Sequence, residues 1–147
     1  MKKTKFVNEV VYMSSEMIED SLRDNTRQYL QGNLKREQNL PFIYNDRSEI
    51  GISCYREFSC DEPHYHDLIT ETNYILEGRL CLKIVDTGEE YVVEKGGVYS
   101  VPPKVLHVVK VQSGTKVIFV KDHAVNDKKT VDPKSLGLER WMEDEGF

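Results

Sequence analysis

Between His64 and Gly78 the chain reads HYHDLITETNYILEG, which sets three ligand-capable side chains and a glycine at offsets that no single regular element accommodates. In a helix, His64 and His66 would point about 200° apart around the axis, because each residue turns about 100°. A strand places residues i and i+2 on one face, so the two histidines predict a strand. Glu71 follows His66 by an odd offset and would fall on the opposite face of a straight strand. The backbone must therefore bend between Asp67 and Thr70, after which Glu71 opens a second strand on the histidine side. Gly78, flanked by Glu77 and Arg79, reads as a turn or bulge leading into LCLKIV. The segment has the pattern of a pocket wall that carries ligands.

The surrounding sequence supplies the rest of such a wall. From Pro41 onward, short β-rich runs follow at close intervals: EIGISCYREF, ETNYILEG, LCLKIVD, EEYVVE, GVYSVP, LHVVKVQ and KVIFVK, separated by turn signals such as DTGEE, EKGG, VPPK and QSGT. With no helical pattern between them, they predict an all-β antiparallel sandwich or small barrel rather than a βαβ sheet. Upstream, SSEMIEDSLRDNTRQYLQGNLKREQ is read as helical, capped by Ser14 or Ser15, with Ile18, Leu22, Tyr29 and Leu30 near one face and Gly32–Asn33 ending or interrupting it. Near the C-terminus, Asp132 as N-cap and Pro133 in the first turn predict a short helix docking Leu136 and Trp141. The expected organisation is a single domain over residues 1–147: an N-terminal helical extension (1–45), the β-barrel (46–123) and a C-terminal tail with a short helix (124–147).

Composition narrows the function. At 147 residues with net charge −5, the chain offers no basic field for nucleic acid or anionic membrane, and neither is expected as a partner. The start MKKTKF is basic but lacks an apolar h-region behind it, so a cytoplasmic location is expected. Cys54, Cys60 and Cys81 are odd in number and form no CxxC pair, which predicts buried free thiols rather than disulfides or structural zinc. Several strands, notably NYIL, LHVV and VIFV, are apolar on both faces, so something must cover the outer face. The N-terminal helix is one candidate cover, and a second copy across a twofold axis, giving a homodimer, is the favoured one.

A second stretch, GGVYSVPPKVLHVVKV, sets Gly96, Pro102 and His107 at fixed intervals. Together the two stretches resemble the paired motifs of the cupin superfamily. His64, His66, Glu71 and Gly78 match the HxH, four residues, Glu, six residues, Gly of the first motif, and Gly96, Pro102 and His107 fall in register with the second. Lys104 replaces a glycine usual in that family, and Val111 an asparagine. The resemblance implies a jelly-roll β-barrel whose interior binds one divalent transition metal through His64, His66, Glu71 and His107. It covers roughly residues 51–121. Glycine at position 104 would allow a positive φ that lysine adopts at a cost of about 1 kcal/mol.

Three neutral imidazoles and one carboxylate suit Mn, Fe, Co, Ni or Zn, and four protein ligands on an octahedral ion leave two positions open. The alternative is an ordinary hydrogen-bonded polar cluster in a barrel mouth. Asn73 shares strand parity with Glu71 and is a candidate substrate-binding residue, or a group satisfying nearby backbone. Tyr55, Tyr74 and Tyr99 include possible general acids, although tyrosines in strands usually serve packing, and Tyr74 has the outward parity. Lys104 is positioned to meet an anion, against the plainer reading of a solvated surface lysine. His123 is expected at the surface without a role. The resemblance implies a metal-dependent enzyme acting on a small polar molecule, as an oxygenase or as an isomerase or epimerase of a sugar-type substrate. The alternative is a non-catalytic, ligand-binding or sensory protein.

Overall fold

In the computed structural model, which describes residues 2–147, the short apolar runs become strands of two sheets laid face to face. The larger sheet holds, in spatial order, β1 (Lys5–Phe6), β3 (Phe42–Tyr44), β2 (Arg27–Gly32), β4 (Glu49–Tyr55), β12 (Thr115–Lys121), β7 (Glu71–Glu77) and β10 (Val98–Val101). The smaller holds β13 (Lys128–Thr130), β6 (His64–His66), β11 (His107–Val111), β8 (Arg79–Ile84) and β9 (Glu90–Glu94), and β5 (Ser59–Cys60) also pairs with β11. Pairing is antiparallel except where β3 joins β1 and β2 in parallel. This is the jelly roll implied by the sequence, although its sheets remain open at their edges instead of closing into one continuous barrel.

Alternation along each strand sorts side chains between core and surface. Ile75, Val101 and Val117 point inward from the larger sheet against Leu80, Leu82, Val109 and Val111 of the smaller. Full burial of each is worth about 1.5–3 kcal/mol relative to exposure. Toward the site the lining turns polar, and Phe119 lies across Gly51, where an added Cβ would stand 2.1 Å from the ring. Glycine at 51 thus makes room for an aromatic inside the fold. Gly78 forms the expected bend between β7 and β8 at φ 79°, and a Cβ there would meet Thr115 Oγ1 at 2.3 Å. Conformation and space both demand glycine.

The N-terminal helix is shorter than its sequence pattern suggests. Helix α1 (Ser15–Leu22) starts at Ser14, whose hydroxyl accepts the Met17 N–H, and ends where Asn25 Nδ2 donates to the Ser21 carbonyl. Residues 27–32, expected as helix, form β2 instead. Tertiary pairing prevails here: β2 joins β4, and the Gln38 side chain both accepts from Tyr29 N and donates to Tyr29 O. Tyr29 and Gln28 are buried on opposite faces of the strand.

Both termini cover sheet surface. Leu22 of α1 and Leu40 are buried, and Gln28 Oε1 accepts the Leu40 N–H. The C-terminal helix is split by Gly137 (φ 66°) into α2 (Pro133–Leu136), capped by Asp132 as expected, and α3 (Glu139–Glu143). Leu138 at the break, rather than Leu136, is the buried side chain. On the outward face of β11, buried Lys110 donates to the Trp141 and Asp144 carbonyls, with its ammonium 4.1 Å from the Trp141 ring centroid. An outward patch of the larger sheet at Tyr74, Val98 and Val120 is left bare. The three cysteines are free, with Cys81 buried and Cys54 and Cys60 half-buried. Among the described residues, no helix is long and apolar enough to cross a membrane.

Candidate metal centre

Strands β6 and β11 of the smaller sheet and β7 of the larger bring the sequence-predicted residues to one end of the interior. His64 and His107 are direct partners across β6 and β11. Ligand atoms of His64, His66 and Glu71 lie within 4.8 Å of one another. The His107 ring stands beyond this trio, with its centroid 4.4 Å from that of His64 and 6.5 Å from that of His66. All three histidines are at most 5 % exposed.

Hydrogen bonding fixes which nitrogen each imidazole presents. His64 Nδ1 donates to the Glu62 carbonyl at 2.9 Å, and His107 Nδ1 to the Val105 carbonyl at 2.9 Å. His66 Nδ1 donates to Asp127 Oδ1 at 2.7 Å. With every Nδ1 occupied as a donor, the three Nε2 lone pairs remain available, and His66 Nε2 lies 3.8 Å from Glu71 Oε2. An inward set of Nε2 acceptors beside a carboxylate suits a divalent cation well. A purely hydrogen-bonded cluster would leave these acceptors facing one another without a donor.

Asp127 was not legible as part of the site. Its second oxygen accepts the backbone N–H groups of Leu68 and Ile69, and Asp122 accepts that of Thr70. The bend between the two ligand strands is thus held by carboxylates from the segment before β13. Burial opposes ionisation of Asp127, but these N–H groups and His66 together keep its carboxyl below the ordinary range. Lys104 adopts the positive φ foreseen from its family position, at 67°, and its N–H donates to the His66 carbonyl. Its side chain is 74 % exposed and faces Asp67, consistent with a surface lysine. His123 sits at the surface against Asp122.

Asn73 turns inward with Glu71, as its parity requires, and is 6 % exposed, while Tyr74 points outward. Asn73 Nδ2 has no hydrogen-bond partner among the described residues. Tyr99, paired with Asn73 across β10 and β7, packs against the core, and burial followed by the charges of Glu71 and Asp61 pushes its phenol well above the ordinary value. The inward row containing Glu71 also holds Lys121, its partner on β12, and Glu49, the partner of Lys121 on β4. Lys121 Nζ lies 3.2 Å from Glu49 Oε1, with both side chains less than 15 % exposed. The inward parity of Lys121 was visible in KVIFVK, but nothing in the sequence marked it as lying beside Glu71.

Electrostatics keep the imidazoles neutral. Burial lowers His64 from 6.5 to about 4, reinforced by Lys128 and opposed by the Glu62 carbonyl, and His107 is lowered by burial and by His64. The unfolded chain takes up protons near 6.5, whereas folded His64 resists until about 4. Stability of the metal-free protein is therefore full above this window and falls as pH drops through it, with a His64 share of up to about 3 kcal/mol. Thermal denaturation from neutral to acid pH should show the falling midpoint, less steeply in His64→Asn. A flat midpoint would contradict the buried neutral pair.

Comparison with known proteins bears on this arrangement. A family model described as a cupin domain matches residues 59–121. No curated protein matches the sequence. Among solved structures, KdgF from Halomonas sp. aligns with a TM-score of 0.54 at 14% identity, covering 69% of this chain and 80% of that one. An RmlC-like cupin from Shewanella frigidimarina aligns with a TM-score of 0.53 at 22% identity, covering 69% and 78%. The polyketide cyclase RemF from Streptomyces resistomycificus gives 0.51 at 22% identity, covering 60% and 63%. At these identities the likeness is one of fold.

Proposed function

The chain belongs to the cupin superfamily, and from that premise we propose that it is a metal-dependent enzyme acting on a small polar molecule, of the isomerase or epimerase type. The observation that carries this reading is the set of three imidazoles, each with Nδ1 committed as a donor and Nε2 free, beside Glu71. His64, His66, Glu71 and His107 would hold one divalent ion, Mn, Fe, Co, Ni or Zn. Bound there, it would supply a Lewis acid for an oxygen of the substrate, with net charge near +1 that favours an anionic group.

The chain's own residues supply the rest. Asn73 offers an unpaired amide donor to orient a substrate oxygen. The Lys121–Glu49 pair, nearly enclosed and in the same inward row as Glu71, places an acid–base couple in the interior, which isomerisation requires for proton transfer to and from the substrate and simple ligand storage does not. The second reading, an oxygenase, uses the same ligand set without needing that pair. A panel of sugar-type and hydroxy-acid substrates, run with protein purified without chelators, tests the proposal. Product isomers without oxygen consumption support it. Substrate-dependent oxygen uptake selects the oxygenase, and binding without turnover selects a sensory protein.

The bare patch at Tyr74, Val98 and Val120 suits a second copy of the chain, which we take to form a homodimer. Light scattering should return twice the chain mass at micromolar concentration, and Val98→Glu should reduce it. A monomer would remove the dimer from the account.

A further inference from the structure

Arg27 does not fit a purely structural role. It opens β2, with the inward parity of Tyr29, and its Nε donates to buried Ser53 Oγ at 3.0 Å. Its guanidinium lies 4.7 Å from the centroid of Phe119, a ring that is itself 1 % exposed. Among the described residues, no carboxylate lies within 4.0 Å of it, whereas the inward-facing Lys121 is paired with Glu49. Arg27 nevertheless remains accessible to solvent. A solvent-exposed guanidinium at the start of β2, without a carboxylate partner, close to the Tyr29 and Tyr55 phenols and braced by Ser53 and Phe119, is poised for an anion from outside.

Its surroundings point to the same chemistry. Tyr29, Gly51, Phe119, Asn73 and Tyr99 form one continuous inward row across β2, β4, β12, β7 and β10. The row begins beside Arg27 and ends next to the Glu71 row. The row offers donors at both ends: the Arg27 fork, which the Tyr29 and Tyr55 phenols also face, and the buried, unpartnered Asn73 Nδ2. A ligand complementary to such a lining carries acceptors along its length and a planar anion at the end remote from the histidines. Guanidinium recognises a carboxylate through paired N–H···O bonds, a fit that an uncharged hydroxyl cannot match.

We propose that Arg27, with Ser53 and Phe119 positioning it and Asn73 as a second donor, forms an anion subsite that selects a small carboxylic acid, whose carboxylate engages Arg27 while its other oxygenated end reaches the histidine cluster. This deepens the metal-enzyme reading and rests on it for the second contact. The anion contact itself uses residues on β2 and β4, outside the motif-bearing segment.

The test is a calorimetric titration with straight-chain α,ω-dicarboxylates from malonate to pimelate, and with acetate, on metal-free and Mn-loaded protein, after Mn affinity itself has been measured. In the Mn-loaded parent, one chain length should bind best, and Arg27→Gln should weaken that acid by at least about tenfold, as expected for hydrogen bonds to a charged group. Mn affinity should not change, and Lys95→Gln at the surface should behave as the parent. If Arg27→Gln does not fold, Arg27→Lys retains the charge and loses the fork, and a several-fold weakening of the best acid is expected. Failure to bind Mn would defeat the metal reading alone, because Arg27-dependent dicarboxylate binding to metal-free protein would still uphold the subsite. Equal affinity of parent and variants for every acid, with and without Mn, would overturn it.

Discussion

Metal-free His66→Ala protein is expected to bind Mn, Fe or Zn at least about a hundredfold more weakly than the parent, since loss of mere supporting contacts already costs 10- to 100-fold. The expectation follows from position. His66 is buried, its Nδ1 is committed to Asp127 and its Nε2 faces Glu71, so no neighbouring side chain can substitute for its lone pair. Removal of the ring also leaves Asp127 with one partner fewer, so folding should be followed by circular dichroism in the same samples. His123→Ala is the matched control, because His123 lies at the surface beside Asp122 and outside the imidazole cluster. Unchanged affinity in His66→Ala would return the cluster to an ordinary polar network.

The second large effect is expected at Asp127. This carboxylate accepts from His66 with one oxygen and from Leu68 and Ile69 with the other. Asp127→Ala should therefore weaken metal binding by about 10- to 100-fold. It should also destabilise the metal-free protein by at least about 2 kcal/mol through the released N–H groups of the 67–70 bend. Asp127→Asn separates the two roles, because an amide offers one acceptor and must turn its NH2 against either His66 or the bend. It should thus fall between the parent and Asp127→Ala in affinity or in stability, but recover only one of them. If Asp127→Ala binds Mn within about twofold of the parent, the imidazole does not need its orienting partner.

What the sequence disclosed and what it withheld have physical reasons. Residues 64–78 were readable because strand parity and a turn glycine leave few alternatives, and the inward turn of Asn73 and outward turn of Tyr74 followed from the same parity, whereas His107 in 96–107 was marked only by the resemblance to a family motif. The strain at Lys104 was foreseen from its place in the motif and is present at φ 67°. Residues 27–32 were misassigned because their apolar spacing is compatible with a helix, while the contacts that make them a strand come from β4 and from the Gln38 side chain. The helix ends at Leu22, ten residues before the Gly32–Asn33 stop read in the sequence, and Asn25 Nδ2 donates to the Ser21 carbonyl there. That misassignment hid Arg27, which no helical reading would place inside the sheets. Asp127 was hidden for another reason: it lies 61 positions from His66, and only the pairing of β13 with β6 brings them together. Single-strand patterns mark the ligands, whereas their supports depend on pairings between distant strands.

The most direct test of the central claim is a crystal structure of protein loaded with Mn or Zn, with anomalous scattering recorded at the edge of the metal. The account predicts one peak per chain, about 2.0–2.2 Å from Nε2 of His64, His66 and His107 and from a Glu71 oxygen, with each Nδ1 still bonded to Glu62, Asp127 or Val105. A peak elsewhere, coordination through Nδ1, or no peak from crystals soaked at saturating metal would contradict it.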